Sequence, residues 1–189
     1  MYGRSGTGKN YLTRKIIHDL GPSGFEVKRP STRPKRVEKD NDYIFVSEEE
    51  FAADVESGNI VLPAVFNNWR YGIFKGISVG ARDKEGIHIV VVDRGTAKGL
   101  KEYLSTTIDG DIMFLEVKSH VYTIYDRLKE RGDDPDEVNR RVVADIKDEE
   151  DIPFTPDRVY MNDGFIFEQR QNYRELMSIL YRKLEENKK

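Results

Sequence analysis

The sequence predicts an α/β fold, a three-layer sandwich in which helices cover both faces of a mainly parallel sheet. Three observations lead to this prediction. A glycine-rich loop at residues 3–10 runs directly into an amphipathic helix over residues 10–20. Short apolar runs typical of buried strands then alternate with helical patterns, and this alternation is typical of a parallel sheet. No internal repeat or low-complexity segment interrupts the order.

Residues 3–10, GRSGTGKN, have the spacing Gly-x-x-x-x-Gly-Lys of a phosphate-binding loop, so the predicted sandwich is of the P-loop NTPase type. The glycines let successive amide N–H groups converge on one concavity, and the dipole of the following helix adds positive charge there. We expect Lys9 to reach the outer phosphates of a nucleoside triphosphate. The alternative is a glycine-rich helix N-cap that binds nothing.

Two features of this loop differ from the usual pattern. Only Met1 and Tyr2 precede Gly3, whereas a central strand needs roughly five residues. We therefore expect either that the natural chain starts further upstream or that the loop is held less firmly than in an intact enzyme. Position 10 usually carries a hydroxyl that coordinates magnesium, and the amide oxygen of Asn10 is a weaker ligand for this ion.

The composition limits the class of protein. With 189 residues, we expect one domain, with or without inserted lobes, and a sizeable core. The net charge of −3 gives no overall attraction to nucleic acids or anionic membranes, so we expect neither as a partner. The sequence contains no cysteine, no run of roughly twenty apolar residues and no secretory signal. We therefore expect a cytoplasmic protein without disulfides.

A basic segment follows the first helix and a short predicted strand at residues 25–27. Residues 28–36 carry five cations and two prolines, and the prolines exclude a helix. This extended segment is either a solvated loop or an anion clamp. In the clamp, Arg33 and Arg36 would hold a phosphate with their planar guanidinium groups.

The rest of the chain continues the alternation of strands and helices. Four further runs predict strands, at residues 42–46, 87–93, 112–117 and 159–163. Ser47 and Glu50 form a capping box for a helix that runs to about residue 57 and ends at Gly58. Residues 173–184 predict an amphipathic final helix.

The order of motifs in the first half of the chain resembles a known family. The run STRPKR at residues 31–36 is followed by DYIFVSEEEF at residues 42–51 and later by Tyr71-Gly72. This order resembles the region of guanylate kinases that binds the nucleoside monophosphate.

The resemblance extends through the second half of the chain. The run 87–93 ends in Asp93, where the family carries an aspartate near the reacting phosphates, and Asn162 stands where the family has an asparagine near the adenine of ATP. Residues 121–141 resemble the family's arginine-rich lid. Arg127 and Arg131 are four residues apart, so one helix face can direct both toward one anion, although the alternative is a charged surface helix with internal ion pairs.

The resemblance implies ATP- and magnesium-dependent phosphoryl transfer to a nucleoside monophosphate, with GMP or dGMP as acceptor. The catalytic residues that it implies are Lys9, Asp93, Arg127, Arg131 and Arg141. The ATP-binding residues are Gly3, Ser5, Gly6, Thr7, Gly8, Lys9, Asn10 and Asn162. The acceptor-binding residues are Arg33, Arg36, Tyr43 and Tyr71, and the magnesium ligands are Asn10 and Asp93.

The same resemblance implies one guanylate-kinase-like domain with three parts. These are a core (residues 1–28, 85–118 and 157–189), an acceptor-binding lobe (29–75) and a lid (121–152). The expected partners are small-molecule nucleotides, and the expected assembly is a monomer or homodimer.

Positions that read guanine in the family carry other residues here. The family's glutamate, nine residues before the tyrosine, falls at Leu62, and other polar readers fall at Ile73, Arg29 and Val91. A pocket without polar partners for guanine would lose specificity for it. Two alternatives therefore stay open: a ribose 1,5-bisphosphate-type phosphokinase, or a non-catalytic guanylate-kinase-like module that binds phosphorylated peptides.

Overall fold

The structure is a computed structural model that describes residues 1–35, 38, 40–66, 68–75, 85–107, 111–164 and 166–186. The helices are α1 (Lys9–Leu20), α2 (Glu48–Glu56), α3 (Arg94–Thr107), α4 (Val121–Glu130), α5 (Pro135–Asp151) and α6 (Ile166–Glu186). The strands are β1 (Gly24–Val27), β2 (Pro30–Ser31), β3 (Ile44–Phe45), β4 (Ile60–Phe66), β5 (Trp69–Phe74), β6 (Ile87–Val90), β7 (Leu115–Lys118) and β8 (Arg158–Met161). Arg36, an expected acceptor-binding residue, lies outside the described residues.

The first two residues join two pairs of parallel strands into the central sheet. β1 pairs with β6, and β7 pairs with β8, both in parallel. The Met1 amine donates to the Val90 carbonyl at 2.9 Å. The Tyr2 N–H donates to Leu115 O at 2.9 Å, and Tyr2 O accepts from the Val117 N–H at 2.8 Å. Met1 and Tyr2 therefore lie between β6 and β7 and anchor the glycine-rich loop to the middle of the sheet, despite the short preceding segment.

Helices on both faces of this sheet bury two apolar clusters. The first cluster lies between the sheet, α1 and α6, and its members include Leu12, Ile16, Leu115, Val117 and Leu180. The second lies between the sheet and α3, and its members include Tyr2, Val92, Leu100, Leu104 and Phe114. The predicted three-layer α/β sandwich is confirmed, although α3 was not predicted.

A smaller sheet projects from this core, with the strand order β3, β2, β5, β4. β2 pairs with β3 in parallel, whereas β5 is antiparallel to both β2 and β4. The β4–β5 hairpin was not predicted, and Asn68 in its turn has a φ of 63°. The predicted capping box of α2 is confirmed, because Ser47 accepts from the Glu50 N–H and Glu50 accepts from the Ser47 N–H.

The arginine-rich region forms two packed helices, α4 and α5, joined by a turn at residues 131–134. Four buried side chains hold the two helices together, namely Ile124, Leu128, Val138 and Val142. The Asp134 carboxylate caps α5 by accepting from the N–H groups of Asp136 and Glu137. Within the described ranges, no helix is both long and apolar enough to span a membrane.

Candidate active site

A cavity of about 890 Å³ opens between the glycine-rich loop, the smaller sheet and the α4–α5 pair. We refer to it as the central cavity. Its walls contain most of the expected site residues, namely Gly3, Ser5, Gly6, Gly8, Lys9, Asn10, Arg33, Tyr43, Tyr71, Asp93, Arg127, Arg131 and Arg141. Its volume lies in the range of small-molecule sites in proteins. Residues that are distant in the sequence thus meet in one place.

Thr7 and Asn162 are the other expected site residues that the structure describes. Asn162 supports the glycine-rich loop by a hydrogen bond to Thr7. The Asn162 side chain donates to Thr7 O at 2.7 Å, and Asn162 O accepts from Arg127 Nη2 at 2.6 Å. Gly8 has a φ of 86°, and a Cβ there would lie 2.3 Å from Asn162 Nδ2. Glycine is therefore required at position 8 for both its backbone conformation and the close approach of Asn162.

Lys9 is folded back onto its own loop. Its Nζ donates to Gly3 O and to Arg4 O, each at 2.7 Å. Burial lowers the pKa of Lys9 to about 8, and the Asp145 charge opposes this shift. To reach an outer phosphate, the ammonium group must leave the two carbonyls and exchange them for phosphate oxygens.

Two carboxylates of α5 also bind the glycine-rich loop. The Ser5 N–H donates to Asp145 Oδ2 at 2.7 Å. Arg4 donates to both carboxylate oxygens of Glu149, at 3.0 and 2.5 Å. Burial raises the pKa of Asp145 in spite of the Ser5 hydrogen bond. Asp145 and Glu149 were not predicted as site residues, although their spacing of four residues places them on one helix face.

Arg33, Tyr43 and Tyr71, the expected acceptor-binding residues, lie together where the smaller sheet borders the central cavity. The Tyr43 and Tyr71 ring centres are 5.5 Å apart, and Arg33 Cζ lies 5.3 Å from the Tyr43 ring centre. Arg33 Nη2 is 2.7 Å from Asp40 Oδ2, and both side chains are 6% exposed. The charge of Arg33 is therefore balanced by a buried carboxylate.

The arginines of the α4–α5 pair line the central cavity and also have partners of their own. Arg131 pairs with Asp133. Arg141 is 2.6 Å from Glu137 and 3.4 Å from Asp133. The internal ion pairs expected for a charged surface helix are thus present. The same arginines also line the cavity, so an anion bound there can replace the carboxylates as their partner.

Asp93 and Asn10 are the expected magnesium ligands. Asp93 accepts from the Thr96 N–H and hydroxyl, each at 2.7 Å. Burial alone would raise the pKa of Asp93, but the Arg29 charge and the Thr96 hydrogen bonds outweigh it and lower that pKa, so the carboxylate stays ionised. Asn10 donates to Asp42 at 2.6 Å.

A magnesium ion in this cavity would need ligands besides protein side chains. The part of the chain that the structure describes contains no group of three or more His, Asp or Glu side chains that could hold a metal ion. Mg²⁺ commonly combines one or two protein oxygens with waters and substrate phosphates. Asp93 and Asn10 fit this mode, because both line the cavity beside the loop.

The four positions at which the resemblance places the family's base readers divide into two pairs. Leu62 and Ile73 pack in the core, Leu62 beside Gly99 of α3, and neither is among the residues that line the central cavity within the described ranges. The register of the β4–β5 pair shifts between Val61 and Ala64, so a count back from Tyr71 passes through an irregularity. Arg29 and Val91, by contrast, line the cavity.

Comparisons with known proteins agree on one family. The family model for guanylate kinase matches residues 1–167. The guanylate kinase of Schizosaccharomyces pombe is 30% identical over 134 residues, which span 70% of this chain but 64% of that enzyme, less than two thirds of it. The Helicobacter pylori guanylate kinase is 31% identical over 149 residues, which span 77% of this chain and 70% of that enzyme. The crystal structure of guanylate kinase from Anaplasma phagocytophilum matches with a TM-score of 0.66 and 17% identity, covering 97% of this chain and 84% of that one, and shows the same fold.

Proposed function

Because the chain belongs to the guanylate kinase family of phosphotransferases, we propose that it transfers the γ-phosphoryl group of ATP, with Mg²⁺, to GMP or dGMP. The observation that carries this proposal is the convergence of the phosphate-binding loop, the acceptor-side tyrosines and the arginines of α4–α5 on one cavity. Phosphoryl transfer requires little covalent chemistry from a protein. It requires two phosphates held in line and their charge neutralised.

The loop and the smaller sheet supply the two phosphate sites in this proposal. The N–H groups of the loop bind the β- and γ-phosphates of ATP, and Lys9 leaves the loop carbonyls to join them. Arg33, Tyr43 and Tyr71 hold the phosphate of the acceptor, so the smaller sheet is the acceptor-binding lobe. A phosphate oxygen of the acceptor attacks the γ-phosphorus, the bond to the β,γ-bridging oxygen breaks, and ADP leaves.

The α4–α5 pair acts as the lid in this proposal. Arg127, Arg131 and Arg141 exchange their present partners for the oxygens of the transferred group and stabilise its charge. Asp93 and Asn10 would offer oxygen ligands to a magnesium ion, which would neutralise phosphate charge. Closure of the lid excludes water, which limits ATP hydrolysis without an acceptor.

The test is a coupled ADP-release assay with ATP and Mg²⁺ and a panel of acceptors. The panel contains GMP, dGMP, the other nucleoside monophosphates and ribose 1,5-bisphosphate. We expect turnover with GMP and dGMP, and loss of both ATP binding and turnover in Lys9→Ala. Turnover with ribose 1,5-bisphosphate alone would contradict the proposed acceptor. A protein that binds a phosphopeptide and fails to bind ATP would contradict catalysis altogether.

A further inference from the structure

Arg29 is a buried cation that the expected site residues do not include. It lies between β1 and β2, is 5% exposed, and lines the central cavity. Its backbone is fixed by strand pairing, because Arg29 O accepts from the Ile44 N–H at 2.9 Å. The backbone pairing and the burial of the side chain together place the guanidinium in the cavity wall.

The guanidinium of Arg29 lies where the acceptor side of the cavity meets the core. Its Cζ is 5.6 Å from the Tyr71 ring centre and 5.7 Å from the Tyr43 ring centre. Its Nη1 is 3.4 Å from Asp93 Oδ2. The same group thus borders two residues proposed to hold the acceptor phosphate and one proposed to support magnesium.

The hydrogen-bonding capacity of Arg29 is incompletely used. Its Nε is buried and has no hydrogen-bond partner among the described residues. The 3.4 Å contact with Asp93 is longer than a typical charge-assisted hydrogen bond. Arg33 differs, because it donates to Asp40 at 2.7 Å and to Pro34 O at 2.9 Å. A buried and poorly paired cation is costly, and a bound anion would reduce that cost.

Arg29 also interacts electrostatically with the phosphate-binding lysine. Burial is the largest cause of the lowered pKa of Lys9, and the positive charge of Arg29 adds to it. Two like charges that affect each other across one cavity repel, and an anion placed between them is attracted to both. In a phosphotransferase the group that passes between ATP and the acceptor is such an anion.

We propose that Arg29 is a further catalytic residue, which contacts the acceptor phosphate on the side that faces Lys9 and stabilises the phosphoryl group during its transfer. This inference rests on the function proposed above. The planar guanidinium matches two phosphate oxygens at once. Arg29 exchanges its long contact with Asp93 for these oxygens, and Asp93 Oδ2 keeps its hydrogen bond from the Thr96 hydroxyl. The residue neither gives nor takes a proton, and its contribution is electrostatic.

The experiment measures kcat and KM for the acceptor, and ATP affinity without acceptor, in Arg29→Ala and Arg29→Lys. We expect Arg29→Ala to lower kcat/KM for GMP by roughly 10²- to 10³-fold, with most of the loss in kcat. Arg29→Lys keeps a buried charge without the planar fork, so its loss should be smaller. ATP affinity should stay within roughly threefold of the wild-type value, or about 0.7 kcal/mol.

Guanidinium rescue separates catalysis from a structural role. Guanidinium chloride, at concentrations too low to unfold the protein, should restore part of the activity of Arg29→Ala. The matched control is Arg70→Ala, which removes an arginine on β5 whose side chain is 47% exposed and pairs with Glu48. The control should keep wild-type activity and show no response to guanidinium.

The outcomes distinguish this inference from the proposed function. Wild-type turnover with an equally active Arg29→Ala would overturn the inference and leave the proposed function intact. Loss of ATP affinity and thermal stability in both Arg29 variants, without guanidinium rescue, would assign Arg29 a structural role and also overturn it. Absence of turnover in the wild-type protein with every acceptor would overturn both.

Discussion

Asp145→Ala should strengthen ATP binding, because this carboxylate occupies an N–H group of the phosphate-binding loop. The Ser5 N–H donates to Asp145 Oδ2 at 2.7 Å. In the proposed function the loop N–H groups bind the phosphates of ATP, so Asp145 and the nucleotide compete for the same part of the loop. ATP binding to the wild-type protein must therefore break the contact, whereas the variant starts without it.

The size of the expected change in ATP affinity follows from two opposing effects on the free energy of the Ser5–Asp145 hydrogen bond. A hydrogen bond to a charged group contributes about 1.5–3 kcal/mol. Burial of the Asp145 carboxylate opposes this contribution, as its raised pKa shows. We therefore take the net free energy of this hydrogen bond near the lower limit, at about 1.4 kcal/mol. Its absence in Asp145→Ala corresponds to a roughly tenfold lower Kd for ATP.

Isothermal titration calorimetry with ATP, in the absence of acceptor, measures this change. The matched control is Glu150→Ala, which removes an exposed carboxylate from the same helix and should leave the Kd unchanged. If Asp145→Ala bound ATP more weakly than the wild-type protein, the carboxylate would be organising the loop for phosphate, and the competition argument would be refuted.

Three further predictions concern the loop and the core. ATP affinity should fall by up to about tenfold per pH unit above pH 8, because burial lowers the pKa of Lys9 to about 8 and phosphate binding needs the charged ammonium group. A Kd for ATP that stayed constant on both sides of pH 8 would contradict this prediction. Arg94→Met should lower the free energy of unfolding in urea by about 3 kcal/mol, the lower limit for breaking a buried ion pair, because the Glu116 carboxylate, 3% exposed, loses its partner at 2.8 Å and retains Lys118 at 3.5 Å; adding Glu116→Leu should recover most of the loss, and a double variant as unstable as the single one would argue against it. Gly8→Ala should weaken ATP binding in the same titration, because its Cβ would lie 2.3 Å from Asn162 Nδ2 and displace the side chain that donates to Thr7 O. Gly58→Ala has a similarly positive φ but nothing within 4 Å, so it should cost only about 1–2 kcal/mol of stability and leave the Kd for ATP unchanged. An equal change of the Kd in the two variants would disprove the steric explanation.

The parts of the fold that the sequence predicted correctly depend on local signals. The glycine spacing and the following apolar face specify the loop and α1, and Ser47 with Glu50 specifies the start of α2. The β4–β5 hairpin was missed although an apolar run and an aromatic-rich run flank a short polar turn, which is a recognisable hairpin pattern. Helix α3 was not predicted, and it contains Gly95 and Gly99, which disfavour a helix on local propensity alone.

The partners of the site residues could not be predicted, because they depend on tertiary placement. Arg33 was predicted to be a phosphate ligand, but its ion pair with Asp40 depends on the course of the connecting segment. The contact of Asp145 with Ser5 joins residues 140 positions apart. The position of the family's glutamate was found by counting back nine residues from Tyr71 to Leu62. Such a count cannot account for the register shift between Val61 and Ala64 in the β4–β5 hairpin.

The short pairing segment of Met1 and Tyr2 links the nucleotide site to the folding kinetics of the core. Met1 bonds to Val90, 89 residues further along the chain, and Tyr2 bonds to β7 on the other side. Pairings over such distances form late, because much chain entropy must be lost before they contribute. We therefore expect the phosphate-binding loop to gain its geometry only after the β1–β6 and β7–β8 pairs have formed. A nucleotide that requires this geometry would bind only the fully folded protein. It would thereby shift the folding equilibrium toward the folded state.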